Sequence, residues 1–197
     1  MMNEVKRTVG KMVFRFSKPV EINGVLTDSV EWRALTVGDL RAVNKLQGGN
    51  QVVGMIAKAC GVSPDDVRNF KTRDFATLRQ LVVGDVDELD EGRGAECFEV
   101  NDEEEIVVSL NDVLTVSSPD GGVKEIDSVT VQELTTAETL RAEKLAKGND
   151  FEMVYHRVRA SVDLKSEVLD LMSKRDFSRV AQAVSVFFTP SEDGGNT

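Results

Sequence analysis

The sequence predicts an α+β fold of two tandem repeats, each an antiparallel β-hairpin followed by about four short helices. Three observations predict it: the chain repeats itself in order, each half opens with apolar residues alternating at period two, and each continues into apolar stripes of helical period. The expected organisation is a first repeat over 1–92, an acidic linker over 93–104, a second and diverged repeat over 105–190, and a disordered tail over 191–197.

The repetition is collinear. Asp28-Ser29-Val30 returns as Asp127-Ser128-Val129, Leu35-Thr36 as Leu134-Thr135, Lys45-Leu46 as Lys144-Leu145 and Gly49-Asn50 as Gly148-Asn149, every pair 99 positions apart. Farther on, Arg73-Asp74-Phe75 returns as Arg175-Asp176-Phe177, and Gln80 and Val82 as Gln182 and Val184, now 102 apart. One insertion of three residues reconciles the halves. Apolar character survives where the letters change: Val67 and Phe70 align with Leu169 and Met172, and Leu78 with Val180.

In the first repeat Met12, Phe14 and Phe16 alternate with Val13, Arg15 and Ser17, and Val30, Trp32 and Ala34 alternate with Glu31 and Arg33, which gives each strand one buried face. Asn23-Gly24 between them supplies the positive φ angles of a tight turn, so residues 12–34 read as a hairpin with Pro19 on its edge. The second repeat offers Ile106, Val108 and Leu110, a looser turn at Ser118-Pro119-Asp120-Gly121-Gly122, and a return strand through Val123, Ile126, Val129 and Val131.

Helices are expected to begin at Thr36 and at Thr135 or Thr136, where a hydroxyl can cap free N–H groups. Leu40, Val43 and Leu46 form one stripe, Gly48-Gly49 breaks it, and Val52, Val53, Ile56 and Ala59 mark a second helix. Ser63-Pro64-Asp65-Asp66 combines a cap residue, proline at the first helical position and acids in the first turn, and starts a short third helix. The last helix carries Phe75, Leu78, Leu81 and Val82 in one repeat and Phe177, Val180, Ala181 and Val184 in the other.

Composition narrows the function. Of 197 residues, 41% are hydrophobic, ample for a core, and 24 Lys+Arg against 34 Asp+Glu leave a net charge of −10 that repels phosphate backbones and anionic lipid. Neither nucleic acid nor membrane is an expected partner. The N-terminal Met1-Met2-Asn3-Glu4-Val5-Lys6-Arg7 lacks the apolar core of a signal peptide, and no apolar stretch approaches the roughly 20 residues that span a bilayer. Of the two cysteines, Cys60 follows Ile56-Ala57-Lys58-Ala59 in a helical stripe and reads as a buried reduced thiol, while Cys97 falls in the linker.

No catalytic, cofactor or metal site is expected. His156, the one histidine, sits among Tyr155, Arg157 and Arg159 without a nucleophile motif or a second imidazole. Paired Cys/His spacing for zinc is lacking, and the acidic runs Asp85–Glu91 and Asn101–Glu105 do not place ligands as an EF-hand loop does. Gly48-Gly49 has no P-loop around it. The recurring Arg-Asp-Phe triplets read as structural, with the charged pair flanking a helix start and phenylalanine anchoring it in the core.

The segment from Phe14 to Leu81 resembles the tail assembly chaperone family of long-tailed bacteriophages, in its Mu-like form. The features that carry the likeness, in order, are Phe16-Ser17-Lys18-Pro19-Val20, Ile22-Asn23-Gly24, Val30-Glu31-Trp32-Arg33-Ala34-Leu35-Thr36-Val37-Gly38-Asp39-Leu40, Gly61-Val62-Ser63-Pro64-Asp65-Asp66-Val67 and the last helix led by Asp74. Through the duplication the likeness extends to residues 105–188, where Val131-Gln132 replaces Trp32-Arg33 and Thr136-Ala137-Glu138 replaces Val37-Gly38-Asp39. The resemblance implies a non-enzymatic factor without cofactors, made in the host cytoplasm and absent from the finished virion. It would hold the tape-measure protein soluble until tail-tube protein polymerises around it. The rival expectation is a structural tail or baseplate component. No partner-binding residues carry over from the resemblance.

Overall fold

The computed structural model describes residues 5–7, 10–46, 48–84, 98–100, 105–117 and 123–188. In chain order the elements are β1 (Val5–Arg7), β2 (Met12–Ile22), β3 (Val25–Trp32), α1 (Val37–Val43), α2 (Gly49–Cys60), α3 (Pro64–Arg68), α4 (Thr72–Val83), β4 (Phe98–Val100), β5 (Ile106–Ser117), β6 (Val123–Val131), α5 (Thr136–Ala146), α6 (Asp150–Ser161), α7 (Ser166–Leu169) and α8 (Lys174–Val186). They fall into two compact units, Thr8–Gly94, and Met1–Arg7 together with Ala95–Thr197. Each unit has a hairpin followed by four helices, the α+β repeat the sequence predicts.

In the first unit β2 and β3 pair antiparallel, Met12 opposite Trp32 and Ile22 opposite Val25. Asn23 (φ 52°) and Gly24 (φ 78°) both adopt the left-handed conformation at the tip, which matches the twist of the flanking strands. Midway the ladder is irregular: Arg15 faces Ser29 but Val20 faces Thr27, so five steps along β2 answer two along β3. Pro19 lies in this bulge, where its missing N–H removes no ladder bond. Phe16 and Val20 point inward and join Ile56, Ala57, Val67, Phe70 and Leu78 in one core cluster. The ring of Phe16 packs edge-on against Phe70 at 4.9 Å.

The second unit repeats the irregularity. Ser109 faces Ser128 and Leu114 faces Ile126, again five steps against two. The matching positions put β2 and β5 94 residues apart, while β3 and β6 stay 99 apart. A longer hairpin connection in the second unit takes up the difference. Its turn at 118–122 lies outside the described residues.

Here β5 is the centre of a four-stranded sheet. β6 runs along one edge, and the other carries β1, with Val5 opposite Val116, and β4, with Phe98 opposite Val108. Phe98–Val100 thus forms a strand within the stretch that reads as acidic linker by composition, and Val5–Arg7 groups with the second unit rather than with the hairpin that follows it in sequence. Three-residue strands are too short for an alternation signal to emerge from their surroundings. The rest of the linker and the tail beyond 188 lie outside the described residues.

Caps start the helices where expected. Thr36, Ser63 and Thr135 each close a reciprocal box with the acid three residues on, Asp39, Asp66 and Glu138. A second joint recurs in both units: the Arg33 N–H donates to the Ala59 carbonyl at 3.0 Å, and the Gln132 N–H to that of Ser161 at 2.8 Å. This ties the end of the hairpin to the last turn of the second helix and fixes Ala59 and Ser161, hence Gly54 and His156, as equivalent positions. Ile56 and Val158, equivalent by the same alignment, are both fully buried. Among the described residues no helix is long and apolar enough to cross a membrane.

Candidate interaction surface

His156 is half-buried on α6, its Nε2 3.6 Å from Glu152 Oε2 and its ring edge-on to Tyr155 at 5.4 Å. Cys60 is half-buried at the end of α2, and burial pushes its thiol up to about 11, far from thiolate chemistry near neutrality. Cys97 lies outside the described residues. Among the described residues no group of three or more His, Cys, Asp or Glu side chains could hold a metal ion.

The Arg-Asp-Phe triplets have a definite structural task. Asp74 is buried at the start of α4 and accepts from the Ser17 N–H at 3.1 Å and the Ser17 hydroxyl at 2.9 Å. Asp176, buried at the start of α8, accepts from the N–H groups of Asn111 (2.8 Å) and Asp112 (3.2 Å), from the Asn111 side-chain amide (2.9 Å) and from the Ser173 hydroxyl (2.8 Å). Each carboxylate takes up N–H groups that the bulge in the first hairpin strand leaves outside the ladder. Phe177 is buried beside it, whereas Phe75 is only partly buried against its core.

Helix capping also sets local electrostatics. Burial pushes the Asp39 carboxyl up, but hydrogen bonds and charge from Arg33, with bonds from Thr36, outweigh it and hold the group below the ordinary 3.8. The Arg33 fork meets both Asp39 oxygens, at 2.7 and 3.3 Å. In the second unit Glu138 stands in place of Asp39 and Gln132 in place of Arg33, so only the cap remains. The Thr135 hydroxyl and N–H, at 2.7 and 2.9 Å, hold Glu138 below its ordinary value of 4.5.

A groove of about 280 Å³ opens between α5 and α6, with Glu138, Arg141, Ala142 and Leu145 on one wall and His156, Arg159 and Ala160 on the other. Leu140 and Leu145 of α5 are 60% and 49% exposed. Arg157 pairs with Glu143 at 3.1 Å and lies over the Phe188 ring at 4.7 Å. Arg141 and Arg159, both exposed, have no carboxylate partner among the described residues.

The matching place in the first unit is filled from within. A Cβ added at Gly54 would stand 3.0 Å from Leu46 Cδ1 and 3.1 Å from Val43 Cγ1. The counterparts of these three residues are His156, Leu145 and Ala142, all lining the groove. Sequence reasoning placed His156 on its helix but missed this substitution, because glycine and histidine share no property that an alignment by residue type would register.

Residues 13–87 match the family model described as phage tail assembly chaperone proteins, E, or 41 or 14. No curated protein matches the chain, and neither does any solved structure. The match runs from within β2 to just beyond α4, the hairpin and four helices of the first unit. Over that unit the chain is similar to the phage tail assembly chaperone family.

Proposed function

We propose that this protein is a non-enzymatic tail assembly chaperone that binds the tape-measure protein of its phage in the host cytoplasm and keeps it soluble until tail-tube subunits polymerise around it. The observation that carries this reading is the family match over the first unit, joined to a second unit with the same element order, the same bulge and the same buried aspartate. Small helical units with exposed leucines suit transient binding of an amphipathic helix, and a net charge of −10 keeps such a complex in solution.

Co-expression with the tape-measure protein of the same genome tests the proposal. The expected result is a soluble tape measure that co-purifies with this chain, and virions free of it. A tape measure that precipitates while this chain purifies unbound removes the proposed role. Stoichiometric presence in washed virions would assign the chain to the tail or baseplate structure instead.

A further inference from the structure

We propose that the groove between α5 and α6 docks an acidic amphipathic helix of the partner, with Ala142, Leu145 and Ala160 receiving its apolar stripe and Arg141 and Arg159 its carboxylates. The inference rests on the chaperone role and gives it a place and a polarity.

Charge carries the argument first. In a chain of net charge −10, each wall of this apolar-floored groove presents an arginine with no carboxylate partner among the described residues. The acids at hand are otherwise engaged: Glu138 by the Thr135 cap, Glu143 by Arg157, and Glu152 by His156. Two guanidinium forks on opposite walls select carboxylates on both flanks of a bound helix and reject a basic one.

Shape carries it next. A volume of about 280 Å³, open along the surface, admits one or two side chains of a helix lying over it and is too shallow to enclose a drug-sized cofactor. In the first unit the equivalent space is closed by Leu46 and Val43 over Gly54. In the second, Ala142 is shorter than Val43 and His156 replaces Gly54, so the apolar floor is left for a side chain from outside. Among the described residues, this groove therefore belongs to the second unit.

The test uses the full chain, the whole tape-measure protein and overlapping synthetic peptides that cover it, with affinities read by fluorescence anisotropy. The unaltered chain is expected to bind at least one peptide whose apolar stripe is flanked by Asp or Glu, more weakly as salt rises. The double variant Arg141→Glu/Arg159→Glu, altered only at exposed positions, should bind that peptide at least roughly tenfold more weakly. A peptide with those acids changed to Lys should regain affinity for the double variant. Full affinity of the double variant with an unchanged circular dichroism spectrum, or preference of the unaltered chain for basic peptides, overturns the groove while the chaperone role stands. Failure of the unaltered chain to bind the whole tape measure overturns both.

Discussion

The Asp74 carboxylate accepts both the backbone N–H and the hydroxyl of Ser17, 57 residues earlier in the chain, and so pins the first turn of α4 to the bulge of β2. Asp176 does the same in the second unit with Asn111 and Asp112. Asp74→Ala is expected to cost about 1–3 kcal/mol and Asp176→Ala to fall at the upper end of that range, because it strands more donors. Urea denaturation of the two variants checks the order. Equal and negligible losses would show that water serves the bulge as well as the carboxylate does.

Gly54→His places in the first unit the side chain that the second unit carries. It must displace Leu46 and Val43, which approach to 3.0 and 3.1 Å of the missing Cβ, so a loss of about 1–3 kcal/mol is expected. The reverse change, His156→Gly, removes a half-buried ring and adds a helical glycine, a cost of about 0.3–0.5 kcal/mol from helix propensity alone. Thermal melting of both variants reads the difference.

The bond between Arg33 and Asp39 makes part of the stability acid-sensitive. A carboxyl held below its ordinary value stabilises the fold fully above 3.8, and that contribution is lost as pH falls through the lower folded value. Asp39→Asn should therefore lower the urea midpoint near neutral pH, and the gap to the unaltered chain should narrow below pH 3.8. A gap independent of pH would refute the ionic origin.

Caps and the half-buried thiol give two quicker checks. Thr135→Ala is expected to cost about 0.5–2 kcal/mol, since the Glu138 N–H loses its acceptor. In a Cys97→Ser background, Cys60 should alkylate roughly a hundredfold more slowly than an unperturbed thiol near neutrality, because its thiolate fraction falls with a pKa raised from 9.0 to about 11. Iodoacetamide kinetics followed by mass spectrometry measure it.

What the sequence made legible was local. The Asn23-Gly24 turn and the caps at Thr36, Ser63 and Thr135 depend on neighbours within one turn and are found where the residues put them, whereas the stripe from Leu40 through Val43 stops short of Leu46, which lies beyond the end of α1 and is 44% exposed. The bulge was hidden because Pro19, the one breaker between Arg15 and Val20, reads equally as an edge-strand residue. It also concealed the repeat in the first strand, whose offset of 94 departs from the 99 that aligns everything up to Gly49-Asn50. The recurrence of Asp74 and Asp176 was visible, but their partners lie 57 and 65 residues away, and no periodicity joins them. The α5–α6 groove was invisible for a related reason: Arg141 and Arg159 meet only once two helices have packed.

Because β1 pairs with β5, the second unit draws on both Met1–Arg7 and Ala95–Thr197, and the first unit is inserted in sequence between these two parts. During synthesis the whole of Thr8–Gly94 leaves the ribosome before Val5–Arg7 can meet Leu114–Val116, so the first unit has the opportunity to fold while the second still waits for its partner strand. A cut between the units is accordingly not a clean dissection. A fragment starting at Ala95 loses an edge strand of its sheet, and one ending at Gly94 carries that strand with nothing to pair it.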